Sequence, residues 1–117
     1  MPTLLIVDDH AGFRRSAARA LAAQGWQVIG HAADGHSGLE AAARLQPDVV
    51  LVDVGLPDLS GLDVAARLRE RHPGIAVVVT STHDREDYAE VAAASGARGF
   101  LSKVELSGPA LSALLAA

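Results

Sequence analysis

Val49-Val50-Leu51-Val52-Asp53-Val54-Gly55-Leu56-Pro57-Asp58-Leu59-Ser60-Gly61 is the stretch on which the fold turns. Four apolar residues in a row read as a strand buried on both sides. A carboxylate, Asp53, closes the run, and a Gly/Pro turn follows. In open α/β sheets that place, the C-terminal end of a buried strand, is where ligands bind and chemistry is done. Two more acids stand directly behind an apolar run near the N-terminus, Asp8 and Asp9 after Leu4-Leu5-Ile6-Val7.

Working outward, strands alternate with helices. Leu4 to Val7 is the first strand, and Ala11 to Gln24 has helical apolar spacing with Gly25 as its stop. Trp26 to Ile29, Asp48 to Val52, Ile75 to Val79 and Phe100-Leu101 read as further strands. Ser37 to Leu45, Leu62 to Arg71 and Glu86 to Ser95 read as the helices between them. Leu111, Leu114 and Leu115 give a fifth helix its apolar face, with Pro109 in the first turn. The pattern is (βα)5, an α/β fold with one parallel sheet covered on both faces.

Composition narrows the function. At 117 residues the chain is expected to be one domain, residues 1–117. It has no cysteine, which removes disulfides, thiolate catalysis and Cys-type zinc sites. A formal charge of −4 leaves no electrostatic footprint for nucleic acid or anionic lipid. Neither a secretory signal nor a run near the ~20 apolar residues of a membrane span is visible, so a cytoplasmic domain is expected.

In a parallel sheet all strand C-termini share one edge. That brings together Asp8-Asp9, Asp53, the Thr80-Ser81-Thr82 hydroxyls and Lys103. Close carboxylates repel by ~4 kcal/mol per pair at ~4 Å and an effective dielectric of ~20. A divalent cation removes that cost, and oxygen donors suit a hard ion, Mg²⁺ with Mn²⁺ as a substitute. An aspartate nucleophile, Mg²⁺, a lysine and a hydroxyl make a phosphoryl-transfer site. Taken singly, each residue has a plainer reading. Asp8 or Asp9 could cap helix one, Asp53 could form the turn, and Ser81 could cap helix four. Lys103 could be a solvated strand end and Phe100 plain core. The histidines (His10, His31, His36, His72, His83) lack paired ligand spacing and read as surface or loop residues.

With these motifs in order, the chain resembles the response-regulator receiver domains of two-component signalling over its whole length. The resemblance rests on Asp8-Asp9, on Asp53 with Leu56-Pro57 and Gly61, on a hydroxyl after strand four, on Gly96-Ala97 and on Lys103. It implies a CheY-like, flavodoxin-like doubly wound sheet of order 2-1-3-4-5. Asp53 then resembles the phospho-acceptor and Lys103 the residue that pairs with it. Asp9, Asp8, Asp53 and the Gly55 carbonyl resemble the Mg²⁺ ligands. Counting back from Gly96 favours Ser81 among the three hydroxyls, and Phe100 resembles the switch aromatic. The positions of Gly55 and His83 tune water attack on the phosphoryl group in the family.

The implied donor is a sensor histidine kinase. The chain would catalyse only its own phosphorylation and dephosphorylation, and would change its helix-four, strand-five, helix-five face. Homodimerisation on phosphorylation is a further implied partner state. The loop after strand four and Gly99-Phe100-Leu101-Ser102-Lys103 resemble the NarL/FixJ class, whose receivers precede a DNA-binding domain. Helix five ends about where that class begins its linker, so an excised receiver and a stand-alone one both stay open, and this chain itself has no residues that read bases. Val104 stands where many receivers have Pro, which leaves the isomer of the Lys103–Val104 bond open. A haloacid-dehalogenase-type phosphatase would need an acid where Gly55 stands. A flavin or nucleotide binder would need a phosphate loop where Asp8-Asp9-His10 stands. An unphosphorylated receiver-fold scaffold is disfavoured by the complete set of acids, hydroxyl and lysine.

Overall fold

Strands and helices alternate along the chain in the computed structural model, which describes residues 1–82 and 91–116. The order is β1 (Thr3–Val7), α1 (Ala11–Ala23), β2 (Gln27–Ala32), α2 (Gly35–Leu45), β3 (Val49–Asp53), α3 (Gly61–Arg71) and β4 (Ala76–Ser81). A helical stretch described over 91–95, α4, leads to β5 (Gly99–Ser102) and α5 (Gly108–Ala116). The strands form one sheet in the order β2-β1-β3-β4-β5, and every pair is parallel.

Period-2 alternation divides the strands between two cores. Val50, Val52, Val77, Val79 and Phe100 pack with Ala41, Ala42, Val64, Ala65 and Leu68 under α2 and α3. Val49, Leu51, Val78 and Leu101 pack with Ala17, Leu21 and Leu111 under α1 and α5. All five residues of β3 are buried, so the run that decides the fold is its central strand. Trp26 joins the α1/α5 core at 5% exposure, and its Nε1 donates to the Gly108 carbonyl at 3.4 Å. It thus lies outside β2, where the sequence pattern had started the strand.

β2 runs three residues beyond Ile29, pairing Leu5 with Gly30, Ile6 with His31 and Val7 with Ala32. It is an edge strand, so the backbone ladder carries it where its apolar pattern stops. α2 begins at Gly35 instead of Ser37 because Asp34 caps it, accepting from Ser37 N at 2.8 Å. Gly25, at φ +95°, ends α1, and Gly96, at φ +100°, follows α4. Both φ values are cheap only for glycine. The first part of the expected helix from Glu86, and His83 before it, lie outside the described residues.

Candidate functional site

β1 and β3 are adjacent, so their C-terminal acids meet. Asp8 follows β1 at 1% exposure, and Asp53 ends β3 at 6%. Neither Asp8 nor Asp9 caps α1: the N-cap is His10, with no side-chain cap bond. Asp8 Oδ1 instead accepts from His10 N at 2.8 Å, while Arg14 Nη1 donates to the Asp8 carbonyl at 2.6 Å.

Lys103 reaches the same crevice from beyond β5. Its backbone N donates to the Ser81 carbonyl at 2.8 Å, extending the ladder one residue past the strand. Nζ lies 2.8 Å from Asp8 Oδ2 and 3.7 Å from Asp53 Oδ1. Nζ also sits over the Phe13 ring of α1, 4.3 Å from its centroid, a cation–π contact that helps hold the side chain in place. The turn carrying Lys103 is closed by Ser102 Oγ donating to Glu105 Oε1 at 2.9 Å and Glu105 N donating to Ser102 O at 3.0 Å. The Lys103–Val104 bond is trans.

Burial pushes the Asp53 carboxyl above the ordinary carboxylate range; Lys103 opposes this, and Asp8 and Asp9 add to it. Asp8 Oδ2 is buried and has no aligned hydrogen bond. Its Lys103 contact is therefore an ion pair outside hydrogen-bond geometry, and the atom keeps unused acceptor capacity. Ligand atoms of Asp8, Asp9, His10 and Asp53 all lie within 4.8 Å of one another. Clustered carboxylates with a buried, unsatisfied oxygen fit a hard divalent cation.

The loop after Asp53 is shaped by two glycines. A Cβ at Gly61 would lie 2.8 Å from the Asp53 carbonyl carbon and collide with its oxygen, so only glycine lets the chain return here. A Cβ at Gly55 would stand 3.6 Å from Asp53 Oδ2, an ordinary contact, and the Gly55 backbone N–H helps hold the Asp53 carboxylate. Gly55 and Ser60 form an isolated antiparallel bridge that closes the turn.

The strand register separates the hydroxyls. Thr80 pairs with Asp53, which by alternation puts it on the α1/α5 face with Val78. Ser81 lies on the opposite face, that of Val79 and Phe100, and pairs with Ser102. Thr80 and Ser81 are both buried, and Thr82 is exposed. Ser81 is thus the strand-four hydroxyl on the same face as Phe100, itself 3% exposed.

Several contributors escaped the sequence reading. His10 is a surface residue as expected, its side chain 69% exposed, but its Nδ1 lies 3.1 Å from Asp9 Oδ1. Asp58 anchors the loop after Asp53 to the start of α2, accepting from Gly35 N at 2.7 Å and His36 N at 2.9 Å. Partial burial opposes its ionisation, but the N–H groups of His36, Gly35 and Leu59 outweigh it and pull the carboxyl down to about 2. Asp58 and its α2 partners are more than twenty residues apart, so no local pattern could reveal the link.

Comparison with known proteins agrees with this geometry. Residues 4–114 match the family described as the response regulator receiver domain. The chain is 35% identical to the transcriptional regulatory protein DegU of Brevibacillus brevis over 86% of its length and 43% of that protein's. It is 38% identical to the response regulator GacA of Pseudomonas viridiflava over 88% of its length and 49% of that protein's. The chain therefore spans less than half the length of these curated relatives. The signal receiver domain of the putative response regulator NarL from Mycobacterium tuberculosis superposes with a TM-score of 0.88 at 33% identity, covering 99% of this chain and 98% of that one. A match along nearly the whole sequence, carried on the same sheet, places this chain in the response regulator receiver domain family, the receiving module of two-component signalling.

Proposed function

We propose that Asp53 is the phospho-acceptor of this receiver. The observation that carries the reading is Lys103 Nζ held between Asp8 Oδ2 and Asp53 Oδ1, an ammonium beside the aspartate that ends the central strand. The donor is the phosphohistidine of a sensor histidine kinase. An Asp53 oxygen attacks phosphorus in line, the P–N bond breaks, and the histidine leaves with its electron pair and takes a proton from solvent. Asp8, Asp9, Asp53 and the Gly55 carbonyl are the residues that would hold Mg²⁺, or Mn²⁺ in its place. When bound, the ion neutralises charge on the phosphoryl oxygens and orients them. Lys103 would share that task, and the buried setting makes its charge count for more than it would in water.

After transfer, the product carries about −1.5 to −2 charge at a sheet edge where Asp53 had carried one. Ser81 donates to a phosphoryl oxygen, the strand-four loop moves inward, and Phe100 turns on the face that both residues share. The face of α4, β5 and α5 is the surface whose shape reports the event. Phosphorylation shifts this population only by its differential stabilisation of the active state. Gly55 and His83, the latter outside the described residues, set how readily water reaches the acyl phosphate.

Residues 1–117 act as a single domain whose only catalysis is on itself. The output is transcription through a DNA-binding domain beyond Ala117, with homodimerisation on phosphorylation as the coupling step. Support comes from the name of DegU, a transcriptional regulatory protein about twice as long as this chain. The location is cytoplasmic; no described helix is long and apolar enough to cross a membrane. The test is intact mass after incubation with acetyl phosphate and Mg²⁺. One phosphoryl group should be gained, dependent on Mg²⁺ and lost in Asp53→Ala. A gain that persists in Asp53→Ala would place the acceptor elsewhere.

A further inference from the structure

The acid cluster includes a nitrogen donor, a kind of ligand that Mg²⁺ rarely takes. His10 Nδ1 lies 3.1 Å from Asp9 Oδ1 and 3.3 Å from Asp8 Oδ1. We propose that His10 is a nitrogen ligand through which this pocket binds borderline divalent ions such as Ni²⁺, Co²⁺ and Zn²⁺. The proposal rests on the reading that Asp8, Asp9 and Asp53 hold a cation, and extends it to a second class of ion.

Spacing is the first argument. Donors ~2.1 Å from one octahedral ion lie about 3.0 Å apart when adjacent and about 4.2 Å apart when opposite. The Nδ1 separations match the adjacent spacing, and the whole set spans no more than 4.8 Å. Small rotations would bring all donors onto one centre.

The second argument is what His10 does not do. It occupies the N-cap of α1 without a side-chain cap bond. Its ring is 69% exposed, so turning it costs little packing. Its backbone N donates to Asp8 Oδ1 at 2.8 Å, which holds the residue's main chain beside the acids. The third argument is independent of His10. Asp8, 1% exposed, keeps Oδ2 buried without a hydrogen bond, its charge balanced by the Lys103 ammonium at 2.8 Å, so a cation that enters the cluster meets an oxygen with acceptor capacity to spare.

Donor chemistry then separates the ions. Mg²⁺ takes oxygen and water and has little use for imidazole, whereas affinity for nitrogen rises toward Ni²⁺ and Cu²⁺. A ring that merely donated Nδ1–H to Asp8 and Asp9 would steady the carboxylates for every ion alike. A ring that ligates favours only the ions that prefer nitrogen, so the ratio of affinities distinguishes the two roles.

The experiment is calorimetric titration of the whole chain with Mg²⁺ alone and with Ni²⁺ alone. The proteins are wild type, His10→Ala, and His10→Asn as a substitution suited to an N-cap. Excess Mg²⁺ should displace the cluster-bound Ni²⁺, which sets it apart from Ni²⁺ on other histidines. Ni²⁺ affinity at that displaceable site should fall at least about tenfold in both variants, with Mg²⁺ affinity within about twofold of wild type. Equal losses for both ions, or no loss for Ni²⁺, would overturn the role of His10. Wild type that binds Ni²⁺ but not Mg²⁺ would overturn the Mg²⁺ reading and leave the Ni²⁺ comparison to decide His10. No binding of either ion would overturn both.

Discussion

Lys103 Nζ is closer to Asp8 Oδ2, at 2.8 Å, than to Asp53 Oδ1, at 3.7 Å. In this state the lysine pairs mainly with the buried acid of β1 and only shares its charge with the acid of β3. A cation bound there would compete with Lys103 for Asp8, and a phosphoryl group on the proposed acceptor Asp53 would offer the ammonium a stronger partner. The lysine is thus placed to shift its weight between neighbours without leaving the crevice.

Lys103→Met keeps an unbranched apolar stem and removes the charge. Two buried acids then face each other with less compensation, and we expect a loss of roughly 3 kcal/mol at neutral pH. Phosphorylation by acetyl phosphate should slow by about 10²-fold. Urea unfolding and a mass-spectrometric time course check the two effects separately. A rate close to wild type would remove Lys103 from the chemistry.

Asp53→Asn should stabilise the metal-free protein at pH 7. Burial raises the Asp53 carboxyl, so the folded chain holds that proton more tightly than the unfolded chain does. The group therefore adds stability below its unfolded pKa and loses it as pH rises through the folded value. The Tm advantage of the asparagine variant should shrink as pH falls through that window. Thermal melts with a chelator at a series of pH values test this; a constant difference would contradict it.

Asp58 gives the opposite sign. Its carboxyl is held down at about 2, so its contribution is present above the unfolded carboxylate range and is lost as pH falls toward that value. Asp58→Ala should lower Tm at pH 7 and flatten the acid limb of the stability curve. Because Gly35 and His36 lose their acceptor, amide exchange should quicken most in the first turn of α2. Uniform quickening would point to a global loss instead.

Gly61→Ala introduces a Cβ into the Asp53 carbonyl group. Backbone has to move, at a cost of about 1–3 kcal/mol. Since the displaced carbonyl belongs to Asp53, the proposed acceptor, phosphorylation should suffer along with stability. Gly12→Ala has open space around the new Cβ and serves as the matched control. Equal unfolding midpoints for the two variants would rule out the close approach.

Ser81→Ala should remove a charge-assisted hydrogen bond that exists only after phosphorylation, worth about 1.5–3 kcal/mol. Tenfold or more of the active population would be lost, read from the Phe100 ring resonances with and without acetyl phosphate. Thr80→Val, on the other face of the strand, should leave that response intact. Identical behaviour of the two variants would sink the assignment of Ser81.

Much of this was legible from pattern alone. Leu4 to Val7 and Val49 to Val52 are strands because an unbroken apolar run can be satisfied only by burial on both faces. Carboxylates directly behind those runs must emerge at a common edge once the sheet is parallel. The loop glycines are legible in a weaker sense: Gly61 is visible as a turn residue, but its need for a bare Cα comes from the Asp53 carbonyl that the chain folds back against. β2 runs past its apolar stretch because an edge strand is held by its ladder more than by its apolar content.

What only the tertiary structure decided are relations between residues far apart in sequence. The choice of Asp8 as the nearer partner of Lys103 depends on how far the β5–α5 turn carries the lysine over Phe13. The assignment of Ser81 and Thr80 to opposite faces follows from register against β3 and β5. The tethering of the loop after Asp53 by Asp58 needs the start of α2 beside it. Periodicity fixes what each element is and which side it buries, because those depend on neighbours one to four places away. Distances between charges depend on how elements pack, and no local pattern encodes them.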